Sequence, residues 1–306
     1  MVPPSKQGLG QNAAMNDAAL PPVKRVHVVK AGVETVETMA DAGHRASDRA
    51  FDQPADRSGP LHIDYTTTRV LPDALSRLQR THGVVRVDRS ELAETFKMLR
   101  SQLLQRLRAD GQSVLAVTSP RAIAGKSLTA VNLALTLAAE IDSTVLLVDA
   151  DLSGQGLQAL FGLEGQAGLS EHLSQGVAIS ELLINPGVPR LVLLPAGAGS
   201  TLQSAELLGT RSAHSLVHEI KHRYRDRFVI VDLPPLLDTA DALAFLPLAD
   251  TTLLVVEEHR TAIADIEAAN ELLAPFNLVG AVLTQPSQKP QRQAARRLSH
   301  WFGRSA

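Results

Sequence analysis

From Ser113 onward the chain alternates two apolar patterns. Six short runs rich in Val, Leu and Ile are apolar at nearly every position: SVLAVTS (113–119), STVLLVDAD (143–151), RLVLLPAG (190–197), RFVIVDLPP (227–235), DTTLLVVEE (250–258) and NLVGAVLTQ (277–285). Continuous apolar runs of this length predict strands buried on both faces. Between them KSLTAVNLALTLAAEI (126–141), residues 204–224 and residues 262–273 carry three- and four-residue spacing and predict helices. Strands alternating with helices predict a three-layer α/β domain with a mostly parallel sheet.

Upstream the pattern changes. DRSELAETFKMLRSQLLQRLRADG (88–111) predicts one helix, because Leu92, Phe96, Leu99, Leu103 and Leu107 form a single stripe. Asp88 or Ser90 caps its start and Gly111 marks its end. LHIDYTTTRVLPDALSRL (61–78) contains a turn at Leu71-Pro72-Asp73. Residues 1–60 are rich in Ala, Pro, Gly, Asp and Arg, keep no lasting periodicity outside residues 23–39, and read as a largely disordered leader. The expected organisation is a leader over 1–60, an N-terminal helical extension over 61–111, a nucleotide-binding domain over 112–288 and a basic tail over 289–306.

Composition narrows the chemistry. The 306 residues are 44% hydrophobic, enough for a sizeable core, and carry a net charge of −2, which makes no case for nucleic acid. There is no cysteine, so disulfides, zinc–thiolate sites and thiol catalysis are excluded. The histidines show no metal spacing; His218 and His222 fit a helix surface better. No apolar run reaches the roughly 18 residues a spanning helix needs.

The candidate chemistry sits where the first long strand meets its helix. Gly125-Lys126-Ser127 after a strand and before an apolar helix is the context of a phosphate-binding loop. The helix N-terminus offers N–H groups to phosphate, Lys126 reaches the β- and γ-phosphates, and the Ser127 hydroxyl suits Mg²⁺. Two further strands end in carboxylates, at Asp149 with Asp151 close behind and at Asp232. The C-terminal ends of parallel strands meet in one crevice, so these acids are expected to converge on a metal or a water. The loop departs from G-x-x-x-x-G-K-[ST]: Pro120, Ala122 and Ile123 stand where glycine or small residues are usual. Pro120 also lacks an N–H, while Arg121 is either a compensating cation or a solvated side chain. The loop is expected to hold a nucleotide with weakened affinity.

In order, VTS-x-x-x-x-x-GKS-x-x-x-x-NLA, VLLVDADL, GL-x-x-x-L, LLPAG, AELL, FVIVDLPPLLDTADA and LLVVEE resemble the bacterial tyrosine kinases of exopolysaccharide systems. HID…LPD ahead of an E-x-x-[KR]-x-x-R helix is similar to the exosortase-associated tyrosine autokinases, and the resemblance runs from about His62 to Gln285. The branch includes polysaccharide copolymerase cytoplasmic domains and is related to MinD/ParA ATPases. The resemblance implies ATP and Mg²⁺ as cofactors. Lys126, Asp149, Asp151 and Asp232 take the catalytic positions. Gly125, Lys126, Ser127, Leu128 and Thr284 take the nucleotide-binding ones, with Thr284 offering a hydroxyl to the base. Ser127, Asp149 and Asp232 take the metal. It further implies a homo-oligomer through Glu94, Lys97 and Arg100, which also fit a solvated intrahelical pair on one helix face. A separate membrane chain-length or copolymerase protein is implied as partner, with a cytoplasmic location, peripheral at the inner membrane.

Departures keep three activities open. Ser153-Gly154-Gln155 follows Leu152 where arginine and proline are usual, and the tail lacks a tyrosine cluster, leaving Tyr65 and Tyr224 as the only tyrosines. An autokinase regulating polysaccharide polymerisation or export is the leading expectation. The alternatives are a MinD/ParA-like positioning ATPase and a catalytically degenerate scaffold. The basic tail, with Lys289, Arg292, Arg296, Arg297 and Arg304 beside Leu298, Trp301 and Phe302, suits a membrane-surface contact or a terminal helix packed on the domain.

Overall fold

The six apolar runs form six parallel strands in the computed structural model. It describes the backbone of Val26–Lys30 and residues 68–81, 91–123, 125–140, 143–153, 156–199, 204–223 and 227–284. The strands are β1 (Val26–Lys30), β2 (Arg69–Val70), β3 (Val114–Thr118), β4 (Thr144–Asp149), β5 (Ile184–Asn185), β6 (Leu191–Leu194), β7 (Arg227–Asp232), β8 (Thr251–Glu257) and β9 (Leu278–Thr284). The helices are α1 (Ala74–Thr81), α2 (Glu91–Ala109), α3 (Gly125–Ala138), α4 (Leu157–Phe161), α5 (Leu169–Gln175), α6 (Ile179–Leu182), α7 (Ser204–Leu208), α8 (Arg211–Arg223), α9 (Asp241–Phe245) and α10 (Ile263–Leu273). The sheet order is β1-β9-β8-β3-β7-β4-β6-β5-β2.

Both faces of the sheet are covered, and the strands show it residue by residue. Leu115, Val117, Val145 and Leu147 join one core with α2 and α3; Val114, Ala116, Leu146 and Val148 join the other with α5 and α7–α10. The period of two explains why runs apolar at every position are stable here. The apolar stripe of α2 enters the first core, with Phe96, Leu99, Leu103 and Leu107 almost wholly buried.

Strand β3 lies between β7 and β8, so the chain runs outward to one side through β4 and later to the other through β8 and β9. That reversal opens a crevice at the strands' C-terminal ends. The edges carry three strands that the apolar pattern does not predict. Segment β1 runs antiparallel along β9, and β5 and β2 extend the other edge beyond β6. Thus Val26–Lys30 are strand, while the rest of the 1–60 leader, and the basic tail, lie outside the described residues. The helix expected over 204–224 is two, α7 and α8, separated at Gly209-Thr210.

Candidate functional site

Leaving β3, the chain is fastened to the loop that follows β7. The Thr118 hydroxyl donates to Pro234 O at 2.8 Å, and the Leu236 and Leu237 amides donate to Ser119 O and Pro120 O. Pro120 thus contributes the carbonyl it has to this anchorage. Arg121 donates to Asp238 at 2.8 Å and Asp265 at 3.2 Å, and the Ala122 amide donates to the second oxygen of Asp238 at 3.0 Å. Side-chain anchors therefore hold a loop that glycines would otherwise shape, and Arg121 is committed to acids rather than free.

Helix α3 starts at Gly125 hard against the end of β9. A Cβ on Gly125 would lie 2.8 Å from Thr284 Oγ1, so only glycine allows the approach. Thr284 is buried with its hydroxyl donating to Val256 O at 3.3 Å. Leu128 is a core residue that brings only its backbone to the helix start.

Lys126 is 4% exposed and turned inward. Its Nζ lies 2.7 Å from Asp232 Oδ1, 3.8 Å from Asp151 Oδ2 and 3.3 Å from Ser127 Oγ. Asp149 and Asp232 are register partners across β4 and β7, both wholly buried. Asp149 accepts the Gln158 amide at 2.6 Å and the Asp151 amide at 3.2 Å, which ties β4 to the first turn of α4. Burial, then the neighbouring Asp232, pushes the Asp149 carboxyl well above the ordinary carboxylate range. Burial also raises Asp232, with Lys126 opposing, and Asp232 Oδ2 has no hydrogen-bond partner among the described residues.

A buried cluster of three acids around one lysine, two of them holding their protons more tightly than usual, would gain from a further cation. Among the described residues no three His, Cys, Asp or Glu side chains make a ready metal cage. Mg²⁺ does not need one, since it keeps waters and takes one or two carboxylates plus phosphate oxygens. Asp232 with its unpaired oxygen and the half-buried Ser127 hydroxyl fit that demand.

A cavity of about 490 Å³ opens beside these groups. Lys126, Ser127 and Asp151 line it with Ala122, Ile123, Ser153 and Leu160; Pro234, Pro235, Asp238, Thr239, Asp241 and Arg260 form the rest. Of the acids expected at the site, Asp151 reaches the cavity, held by the Ser153 hydroxyl, while Asp149, Asp232, Gly125, Leu128 and Thr284 are not among its lining residues. The sequence reading missed Asp238, Asp241 and Arg260. Asp238 and Asp241 sit within the quoted FVIVDLPPLLDTADA, so their proximity to Asp232 was the available signal; Arg260 had none.

On α2, Glu94 and Lys97 pair at 2.8 Å on the surface. Arg100 turns away from them, donating to Thr136 O at 3.0 Å and pairing with Glu140 at 3.0 Å. Within this chain the three residues therefore do not form one ion-paired cluster. Tyr65, Tyr224 and Gln285 lie outside the described residues.

A family model described as an AAA domain matches residues 112–280, more than half of the chain. The succinoglycan biosynthesis transport protein ExoP of Rhizobium meliloti is 37% identical over 185 residues, covering 58% of this chain and 22% of ExoP. The chain thus spans less than a quarter of that relative's length. The tyrosine-protein kinase YwqD of Bacillus subtilis is 30% identical over 211 residues, covering 68% of this chain and 87% of YwqD. Among solved structures, the chimerical protein CapA2B2 is 26% identical with a TM-score of 0.59, covering 70% of this chain and 92% of that one.

Proposed function

We propose, from a chain that belongs to the AAA domain family and within it to the bacterial tyrosine kinases of exopolysaccharide biosynthesis, that this protein binds Mg-ATP and transfers its terminal phosphoryl group to a tyrosine, regulating polysaccharide polymerisation or export. The observation that carries the reading is Lys126 and Ser127 at the start of α3, facing Asp151 across one cavity with Asp232 behind them.

The residues divide the work. The amides at the start of α3 cradle phosphate. Lys126 exchanges its carboxylate partners for phosphate oxygens and neutralises charge that develops on transfer. Asp151, the cavity carboxylate, orients the tyrosine hydroxyl and accepts its proton. Asp149 holds α4 and the Asp151 backbone in place. Ser127 and Asp232 would hold Mg²⁺, which would supply positive charge against the phosphates during transfer. Thr284 supports Gly125 from below rather than reading the base through its hydroxyl.

The partner in this reading is a membrane chain-length or copolymerase protein, and the location is the cytoplasmic face of the inner membrane. Among the described residues no helix is long and apolar enough to cross a membrane. Self-association would run through the exposed Glu94 and Lys97, with Arg100 supporting the helix from inside.

The test is turnover of Mg-ATP by wild type and Lys126→Ala, with product followed as phosphotyrosine and as free phosphate. Lys126-dependent phosphotyrosine is the expected result. Free phosphate alone would make the protein a positioning-type ATPase, and no nucleotide binding with the membrane partner present would make it a scaffold.

A further inference from the structure

The turn that leaves β8 is fixed by more contacts than a connection requires. The Glu257 amide donates to Thr261 Oγ1 at 3.0 Å, and Glu257 O accepts the Arg260 and Thr261 amides at 3.3 and 3.0 Å. The Glu258 amide donates to Thr284 O at 3.1 Å, fastening the turn to the end of β9. Between them His259 holds φ at 64°, a left-handed conformation that costs a non-glycine residue free energy. The outcome of this construction is that Arg260 lies on the cavity wall.

Arg260 is an available cation. Its side chain is 65% exposed, and its ion pair to Glu257 Oε1 is stretched to 3.5 Å. Glu257 is 1% exposed, and its second oxygen has no hydrogen-bond partner among the described residues. The buried acid tethers the guanidinium loosely at the cavity without saturating its five donors. The cavity's other cation, Lys126, is sunk among carboxylates, and Asp151, Asp238 and Asp241 also line the walls. A polyanion entering here needs a forked donor on the open side, which is what guanidinium supplies.

We propose that Arg260 grips the phosphate tail of the bound nucleoside triphosphate and that Glu257 is its positioning residue. This rests on the nucleotide reading above. The partners meet as a charge-assisted pair between guanidinium and phosphate oxygen, while Glu257 keeps the arginine aimed inward.

Calorimetric titration of wild type, Arg260→Ala, Arg260→Lys and Glu257→Gln with Mg-ATP, Mg-ADP and AMP decides it. Arg260→Ala is expected to weaken Mg-ATP by about tenfold or more, Mg-ADP less and AMP hardly at all. Arg260→Lys should recover part of the loss, and Glu257→Gln should show a smaller loss in the same order of ligands. Unchanged Mg-ATP affinity in Arg260→Ala, or an equal loss for all three nucleotides, overturns the proposal while leaving nucleotide binding intact. Wild type that binds no Mg-ATP overturns the nucleotide reading and the proposal with it.

Discussion

Two buried regions of this molecule are built from opposite materials. Where α2 meets the sheet and α3, Phe96, Leu99, Leu103 and Leu107 lie at 3% exposure or less within one apolar cluster. A short way along α3, Lys126, Asp149, Asp151 and Asp232 are as well hidden, at 7% exposure or less. The first region gains about 25 cal/mol for each Å² of apolar surface removed from water. The second gives up hydration of several charges for one close pair and one longer one, a balance that is seldom favourable. The apolar seam maintains the fold; the charged floor is a standing cost on it, and its use lies in meeting an anion and a divalent cation.

The comparison breaks most visibly at Phe96. Phe96→Ala should lower unfolding free energy by about 3–5 kcal/mol through lost burial and a residual cavity. Urea unfolding at constant m-value measures it. Under conditions where the variant stays folded, Mg-ATP affinity should stay within about twofold of wild type, because energies of separated sites add. A stability loss below about 1 kcal/mol would mean that α2 is not integral to the core.

The same contrast explains what the sequence discloses. Period-two burial on two faces produces unbroken apolar runs, so all six parallel strands and the α2 stripe were legible. Gly125-Lys126-Ser127 was legible because a phosphate site needs those atoms in consecutive positions. The edge strands β2 and β5 are two residues each, too short for any periodicity. Segment β1 pairs with β9 across most of the chain's length, a contact that local pattern does not encode. At the site, strand ends announced the acids but not their division of labour. Whether Asp149 or Asp151 faces the cavity depends on the Gln158 amide, which captures Asp149 from α4. Arg260 was invisible because its place comes from a turn geometry rather than a motif. Pro120, a departure from the usual loop pattern, is anchored through Leu237, and Arg121, either a compensating cation or a solvated side chain by sequence, is anchored through Asp238.

A sharper probe lies where the two materials touch, at the start of α3. Gly125→Ala should cost about 1–3 kcal/mol by overpacking, since the new Cβ would meet Thr284 Oγ1 at 2.8 Å and Cγ2 at 3.0 Å. Thr284→Ala removes both obstructing atoms, so the double variant should lose less than the two single losses summed. Strict additivity in that cycle would show that the helix start relaxes away from β9 and that the close approach is not what requires glycine.

The smallest signal is a slope with pH. Asp149 and Asp232 both have carboxyl pKa values raised above 3.8 in the folded protein, burial being the first cause for each. The folded state therefore keeps protons that the unfolded chain releases from about pH 4 upward. Their contribution is fully present below 3.8 and is lost as pH rises through the folded values, so stability in metal-free, nucleotide-free buffer should fall with rising pH. The slope cannot exceed about 1.4 kcal/mol per pH unit for each group. Asp250 acts in another window: burial works against its charge, but the Lys221 hydrogen bond and the Ser113 and Val114 amides hold its pKa below 3.8, so its contribution is lost only in stronger acid. Asp149→Asn, which cannot exchange that proton, should flatten the slope over the range above about pH 4. The measurement is denaturant unfolding across that range for both proteins. A wild-type slope that is flat or rising would mean that Asp149 is ionised in the folded state and that the floor carries its full negative charge before any cation arrives.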